Sequence, residues 1–398
     1  MNGSRQVLVL GGGTAGVLHA ALLSRNPGNR VTLAFRSKLP VPVQGSTEVI
    51  LPDETSIASL DAPACVPSPD LIPESYDDLI LCTPLHETLS ALEDAIGRKL
   101  LRPGSQVVSI ATTLGLPEAL RGALNEAGLW HTSLRVYSNF FAAARPTADL
   151  RQIKISKIKK RIFYWEDGKS QDFSVLEKDL FCGALQIASV QDPVELACRN
   201  INTWVHPPLV FQNSVLNSIL TPGSPRVALY DLGAGGAVHA ESMLEMGCYM
   251  QELEGLFRAL NIRDWNTLRF LNDDNYPVEP RFLSLQEIET FPLMVPEIRG
   301  PILLRRYEGL KTGSSAPIYP EKATLGRDGQ SLKIPRIPME DVFQLQSLKK
   351  AAPINVRTPM IDLFLERYET ALTYTESTYP HSIHVFGRAD SRFHPHKD

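Results

Sequence analysis

Residues 7–16 read VLVLGGGTAG: an apolar run breaks into glycine, and Gly11, Gly13 and Gly16 form G-x-G-x-x-G just before helix-forming sequence that continues to about Arg25. No other stretch restricts the fold as much. Glycines at this spacing between a strand and a helix open a βαβ unit whose helix N-terminus receives a pyrophosphate. Gly11 permits the tight turn, Gly13 lets phosphate approach the backbone, and Gly16 lets helix and strand close together. Thr14 and Ala15, the first helical residues, offer unpaired N–H groups to the anion. The alternative, a glycine turn that holds no ligand, is disfavoured by the β-α-β pattern around the loop.

Short β-rich runs alternate with helical segments through the first half: VLVL (7–10), RVTLAF (30–35), DDLILCT (77–83), QVVSIAT (106–112) and SLRVYSNFF (133–141), with helices expected near 14–25, 87–96 and 117–127. Such alternation builds a parallel, doubly wound sheet. The alternating run IKISKIKKRIFYW (153–165) reads as further strands, and from about residue 190 long helical patterns take over, including 241–261 and 359–375. The expected fold class is therefore α/β: a Rossmann-type doubly wound parallel sheet over 1–188, followed by a mainly α-helical second domain over 189–398.

An NAD-preferring loop of this type ends its second strand with a carboxylate that holds the ribose hydroxyls. Here Arg36, Ser37 and Lys38 stand there instead. A guanidinium and an ammonium pair with a 2′-phosphate, so the sequence favours NADPH, with NADH still possible and solvated loop charges as the plain alternative. Thr83 and Pro84 in LCTPLHE, and Thr112 in SIATTLG, fall at strand carboxyl ends, which line the ligand crevice of open α/β sheets.

The formal net charge of −4 over 398 residues argues against a broad nucleic-acid surface and for small-molecule partners. Five cysteines without a C-x-x-C pair indicate reduced thiols, and no metal site is expected from them. The start MNGSRQ lacks a signal-peptide pattern and no run reaches membrane-spanning length, so a soluble cytoplasmic protein is expected. The histidine-rich stretch after Tyr379 shows no regular ligand spacing and reads as a loose terminus.

The second informative stretch is ELACRNINTWVHPPL (195–209). A residue before proline is pushed out of the helical region, so the helix carrying Glu195, Arg199 and Asn200 is expected to end at or before His206. An imidazole at that break, beside the negative end of a helix, suits proton transfer, although a lone histidine is as a rule structural. Arg199 has its own plain reading, an ion pair with Glu195 four residues earlier.

Five blocks, KKRIFY (159–164), RNINTWVHPPL (199–209), LRFLNDDNYPV (268–278), IPRIPMEDVF (334–343) and TPMIDLFLERYE (358–369), resemble in sequence and order the opine dehydrogenases of the metallophore type, the family of staphylopine, pseudopaline and yersinopine dehydrogenases. The resemblance implies reduction, by a nicotinamide cofactor, of the imine between an α-keto acid (pyruvate or 2-oxoglutarate) and the amine of a nicotianamine-like intermediate. It implies that His206 is the general acid/base. It also implies that Arg145, Arg199, Asn200, Asn275 and Tyr276 meet the substrate's carboxylates, and that the second domain pairs into a homodimer.

The sequence departs from those relatives in two places. Ala142, Ala143 and Ala144 stand where some relatives carry an aspartate that orients the imidazole, and LYDLGAGGAVHAE (229–241) lacks their P-E-G-P-I-T segment. Two other functions stay open at this point: a different two-domain NADP-dependent dehydrogenase of a small keto or hydroxy acid, and a non-catalytic NADP-binding regulatory protein.

Overall fold

The computed structural model describes residues 4–34, 46–51, 53–61, 65–66, 75–138, 141–147, 151–159, 161–167, 173–181, 186–209, 211, 237–270, 284–303, 324–325, 327–333 and 339–379. They divide into two compact units, one running to Arg199 and the other starting at Asn200. The division falls later than residue 188 because helix Pro193–Cys198 and the residue after it belong to the first unit, where the Arg199 guanidinium lies 4.2 Å from the centre of the Phe163 ring.

In the first unit, β1 (Arg5–Leu10) leads through the glycine loop into α1 (Thr14–Ser24) and β2 (Asn29–Ala34). Strands β3 (Ser46–Ile50), β4 (Ser56–Asp61) and β5 (Cys65–Val66) come next, and then β6 (Tyr76–Leu81), α2 (Thr88–Gly97), β7 (Leu101–Ser109), α3 (Leu116–Glu126) and β8 (Ser133–Tyr137). Six parallel strands lie in the order β5-β2-β1-β6-β7-β8, the doubly wound order of dinucleotide-binding sheets. Val7, Leu8 and Val9 have no exposed surface, as expected of a central parallel strand covered on both faces. Beyond β8 the sheet gains β11 (Arg161–Glu166), antiparallel to β8, and β12 (Gln186–Ser189).

A second sheet, in the order β4-β3-β10-β9, is built with β9 (Ala142–Pro146) and β10 (Gln152–Ile158). Its strands β3, β4 and β9 contact α1, which also packs on β1 and β2. This explains why α1, sequence TAGVLHAALLS, is apolar nearly all round and buries eight successive residues from Gly16 to Leu23. At its centre His19 is fully buried, with Nδ1 3.1 Å from the Leu180 carbonyl and its ring against Phe141 and Phe181. Burial pushes its pKa down to about 4, so the ring is neutral and Nδ1–H is the donor.

The first unit closes with α4 (Ser174–Leu180) and α5 (Pro193–Cys198); the second is mainly helical in its described parts, with α6 (Ile201–Leu209), α7 (Ala237–Ala259), α8 (Met339–Ala351) and α9 (Pro359–Thr378) and a short antiparallel pair of strands, Thr324–Leu325 and Leu332–Lys333. Trp204 is fully buried and stacks on Trp265 at 5.4 Å and against Phe257 at 5.5 Å, which anchors α6. Glu252 on α7 accepts the Met360 and Ile361 N–H groups at 2.7 and 2.9 Å, satisfying the first turn of α9. Glu245 and Arg367 join the same two helices through a two-pronged ion pair. Among the described residues no helix is long and apolar enough to cross a membrane.

Candidate functional site

The glycine loop is shaped as its spacing requires. Gly11 has φ +118°, and a Cβ there would lie 2.5 Å from the Cys82 carbonyl oxygen at the end of β6. Gly16 is pressed onto the Gly11 carbonyl, so a side chain at either position displaces backbone. Gly13 differs: a Cβ there would meet nothing within 4 Å. It precedes Thr14 and Ala15 at the start of α1, which has no side-chain cap and no acidic residue in its first turn. Positive helix end, open approach and uncapped N–H groups together fit a pyrophosphate. Arg36, Ser37 and Lys38 lie outside the described residues.

The carboxyl end of β6 borders this loop, and that of β7 comes next along the sheet. Thr83 is half-buried, its hydroxyl 3.3 Å from that of Thr88, and Pro84 is exposed. Thr112 is fully buried and its hydroxyl donates to the Thr113 carbonyl at 3.3 Å, so its side chain is turned inward. The Cys82 thiol is pushed up by burial, which removes it as a nucleophile.

The expected substrate residues separate into three groups. Arg145 lies in β9 opposite Lys154 of β10. Arg199 donates to Glu195 at 2.8 Å, the ion pair its spacing allowed, and Asn200 is buried and caps α6, its side-chain oxygen accepting the Asn202 N–H at 3.1 Å. Asn275 and Tyr276 lie outside the described residues, as does the segment 229–236.

His206 departs from the expected break. Helix α6 continues through Pro207 and Pro208 to Leu209, and His206 sits in its last turn, 9% exposed. A proline inside a helix costs a hydrogen bond because the carbonyl four residues earlier loses its donor. For Pro207 that carbonyl belongs to Thr203, and Tyr249 of α7 replaces the donor, its hydroxyl 2.9 Å from the Thr203 oxygen. Burial pushes the Tyr249 pKa well up, which keeps it protonated and able to donate.

The His206 ring has a carboxylate neighbour that spacing did not reveal: Asp341 Oδ1 lies 3.7 Å from Nδ1, and Asp341 is 2% exposed. Asp341 occupies the first turn of α8, where the helix dipole favours an anion, and His206 the last turn of α6, where it favours a cation. Three residues on, Gln344 hydrogen bonds the Thr203 hydroxyl, so α6 and α8 meet through two contacts in register. Both acidic partner and clamp lie in or beside the IPRIPMEDVF block (334–343), which carried a family signal but no motif naming Asp341 as a partner. Among the described residues no group of three or more His, Cys, Asp or Glu side chains is placed to hold a metal.

Comparison with known proteins agrees with this architecture. The family model of staphylopine dehydrogenase matches residues 61–312 and 318–384. Staphylopine synthase of Staphylococcus aureus is 28% identical over 199 residues, 47% of this chain and 46% of that protein, and yersinopine synthase of Yersinia pestis is 30% identical over 185 residues, 44% and 41%. The matched region thus spans about half the length of these two relatives. Pseudopaline synthase of Pseudomonas aeruginosa is 24% identical over 315 residues, 75% and 72%. In fold, the NADP+-bound yersinopine dehydrogenase is similar with a TM-score of 0.78 at 22% identity, covering 95% of this chain and 93% of that one. An octopine dehydrogenase with NADH and L-arginine is similar at 0.59 and 14% identity, covering 94% and 89%. With the family model aligned to most of its length, the chain belongs to the staphylopine dehydrogenase family.

Proposed function

We propose that the protein is an NADPH-dependent opine dehydrogenase, which condenses pyruvate or 2-oxoglutarate with the amino group of a nicotianamine-like intermediate and reduces the resulting imine to an opine metallophore. The observation that carries this reading is the His206–Asp341 pair, a buried carboxylate beside a nearly buried imidazole in the region matched by the family model. Membership of the family and the fit of the glycine loop to a pyrophosphate support the cofactor.

In this reading the unit up to Arg199 holds the dinucleotide and the unit from Asn200 supplies the acid/base group and the dimer contact. Gly11, Gly13, Thr14, Ala15 and Gly16 hold the pyrophosphate, with Thr83, Pro84 and Thr112 along the crevice and Arg36, Ser37 and Lys38 on the 2′-phosphate. When bound, the dihydronicotinamide supplies the hydride to the imine carbon. His206 as imidazolium protonates the departing hydroxyl of the carbinolamine, and Asp341 holds the ring in place and stabilises the charge it carries. Asp341 thereby fills the role left open by Ala142, Ala143 and Ala144. Arg145, Asn275 and Tyr276 are assigned to the substrate's carboxylates, whereas Arg199 pairs with Glu195 and Asn200 caps its helix. The protein acts as a cytoplasmic homodimer.

Mixing the purified protein with NADPH, a histidine-derived amine carrying an aminobutyrate unit, and either keto acid tests the proposal. Cofactor oxidation together with a product whose mass equals amine plus keto acid minus one oxygen is expected. Oxidation with the keto acid alone, giving a hydroxy acid, refutes it.

A further inference from the structure

Lys159, in the residue position after β10, is 6% exposed. Its backbone is accounted for, the N–H donating to the Phe141 carbonyl at 2.8 Å. Its side chain is not: burial pushes the amine's pKa down to about 7, and among the described residues no carboxylate or carbonyl opposes that shift. The other guanidinium and ammonium groups buried to this degree among the described residues are paired. Arg135 meets Glu166 and Glu177 and lies between the rings of Tyr164 and Phe173, and Arg299 meets Glu254 and the carbonyls of Met294 and Pro292.

A lysine that only lays its stem over apolar surface keeps its head in water, which 6% exposure of the residue does not allow. An ammonium held in such a place without a counter-charge is strongly disfavoured, and that pattern marks sites which an anion completes.

Its position in the fold supplies the second argument. Strand β11 runs antiparallel to β8 with Tyr164 opposite Tyr137, and the Ser138 N–H donates to the Phe163 carbonyl. Lys159, which precedes β11 and is tied to Phe141, therefore lies past the last residue of β8. That is the carboxyl end of the parallel strands, the same end as Gly11 and Thr83, where open α/β sheets bind their ligands.

We propose that Lys159 is an oxyanion-binding residue of the first unit, its ion pair completed by a phosphate of the dinucleotide or by the carboxylate of the keto acid. The inference rests on the reading of this unit as a nicotinamide-dinucleotide lobe, and its test uses binding rather than turnover. The variant is Lys159→Met, which keeps length and removes charge. One arm titrates NADPH into the full-length protein and follows cofactor fluorescence; the other titrates pyruvate or 2-oxoglutarate calorimetrically into protein saturated with NADP+.

The expected result is a weakening of tenfold or more in one arm, which identifies the source of the oxyanion, partial recovery in Lys159→Arg, and a melting temperature no lower than that of the parent. Both dissociation constants within twofold of the parent overturn the proposal. If Lys159→Met does not fold, Lys159→Gln is read in the same way, and failure of both to fold makes the amine a structural element and also overturns it. A protein that loses NADPH affinity on Lys159→Met yet makes no opine leaves this inference standing while the proposed reaction falls.

Discussion

The hydroxyl of Tyr249 donates a 2.9 Å hydrogen bond to the carbonyl of Thr203, the acceptor that Pro207 deprives of its helical donor. One phenol thus replaces the donor that Pro207 removes, in the last turn of the helix that carries His206.

Replacing Tyr249 by Phe leaves that buried carbonyl without a donor. The expected cost is about 1–3 kcal/mol of stability, read by urea unfolding. Because His206 follows Thr203 by three residues, turnover is expected to fall while NADPH affinity stays within twofold, and unchanged turnover would show that the clip does not position the imidazole.

Asp341→Asn keeps the shape of the pair and removes its charge. The expected loss in turnover is about a hundredfold, within the range for a disabled acid/base group, with the melting temperature and the NADPH dissociation constant little changed. A variant with parental turnover would exclude Asp341 as the orienting carboxylate.

The two glycines of the loop predict opposite outcomes. Gly13→Ala adds a methyl into open space in the free protein and is expected to fold with unchanged or slightly raised stability, by up to about 1 kcal/mol, while binding NADPH at least tenfold more weakly. Gly16→Ala drives a Cβ into the Gly11 carbonyl and is expected to destabilise the first unit by about 3 kcal/mol or more. Equal effects of the two on cofactor binding and on unfolding would contradict the assignment of Gly13 to the pyrophosphate.

His19 makes the first unit sensitive to acid. Its folded-state pKa of about 4 lies below the ordinary value of 6.5, so above pH 6.5 both states are neutral and nothing is lost. As pH falls from 6.5 to about 4 only the unfolded chain takes up the proton, and the native state loses up to about 3 kcal/mol. His19→Leu is expected to flatten the stability profile in that window by about one proton, measured by denaturant titrations across pH, at the expense of the Leu180 hydrogen bond. An unchanged slope would remove His19 as the source.

What could be read from the sequence was what the chain encodes locally. The glycine spacing and the strand-helix alternation gave the parallel sheet, because each is fixed within a few tens of residues. Strands β3 and β4 were not foreseen: they lie in a stretch interrupted by proline and glycine, and β3 pairs with β10 about a hundred residues away. The break expected at His206 failed because a proline penalty is local while its remedy, Tyr249, comes from another helix. Asp341 escaped for the same reason, since nothing in a linear pattern says which carboxylate faces a given ring. Lys159 was hidden in an alternating basic run that looks like a solvated strand face.

The central claim is that His206 moves the proton in an NADPH-dependent reductive condensation. The most direct measurement compares the parent with His206→Ala, following NADPH oxidation and product mass with the histidine-derived amine and a keto acid, alongside NADPH affinity for both proteins. The account predicts an opine from the parent, and from the variant an unchanged cofactor affinity with turnover reduced by about a hundredfold or more. A variant that binds NADPH normally and makes the same product at the parental rate would contradict it.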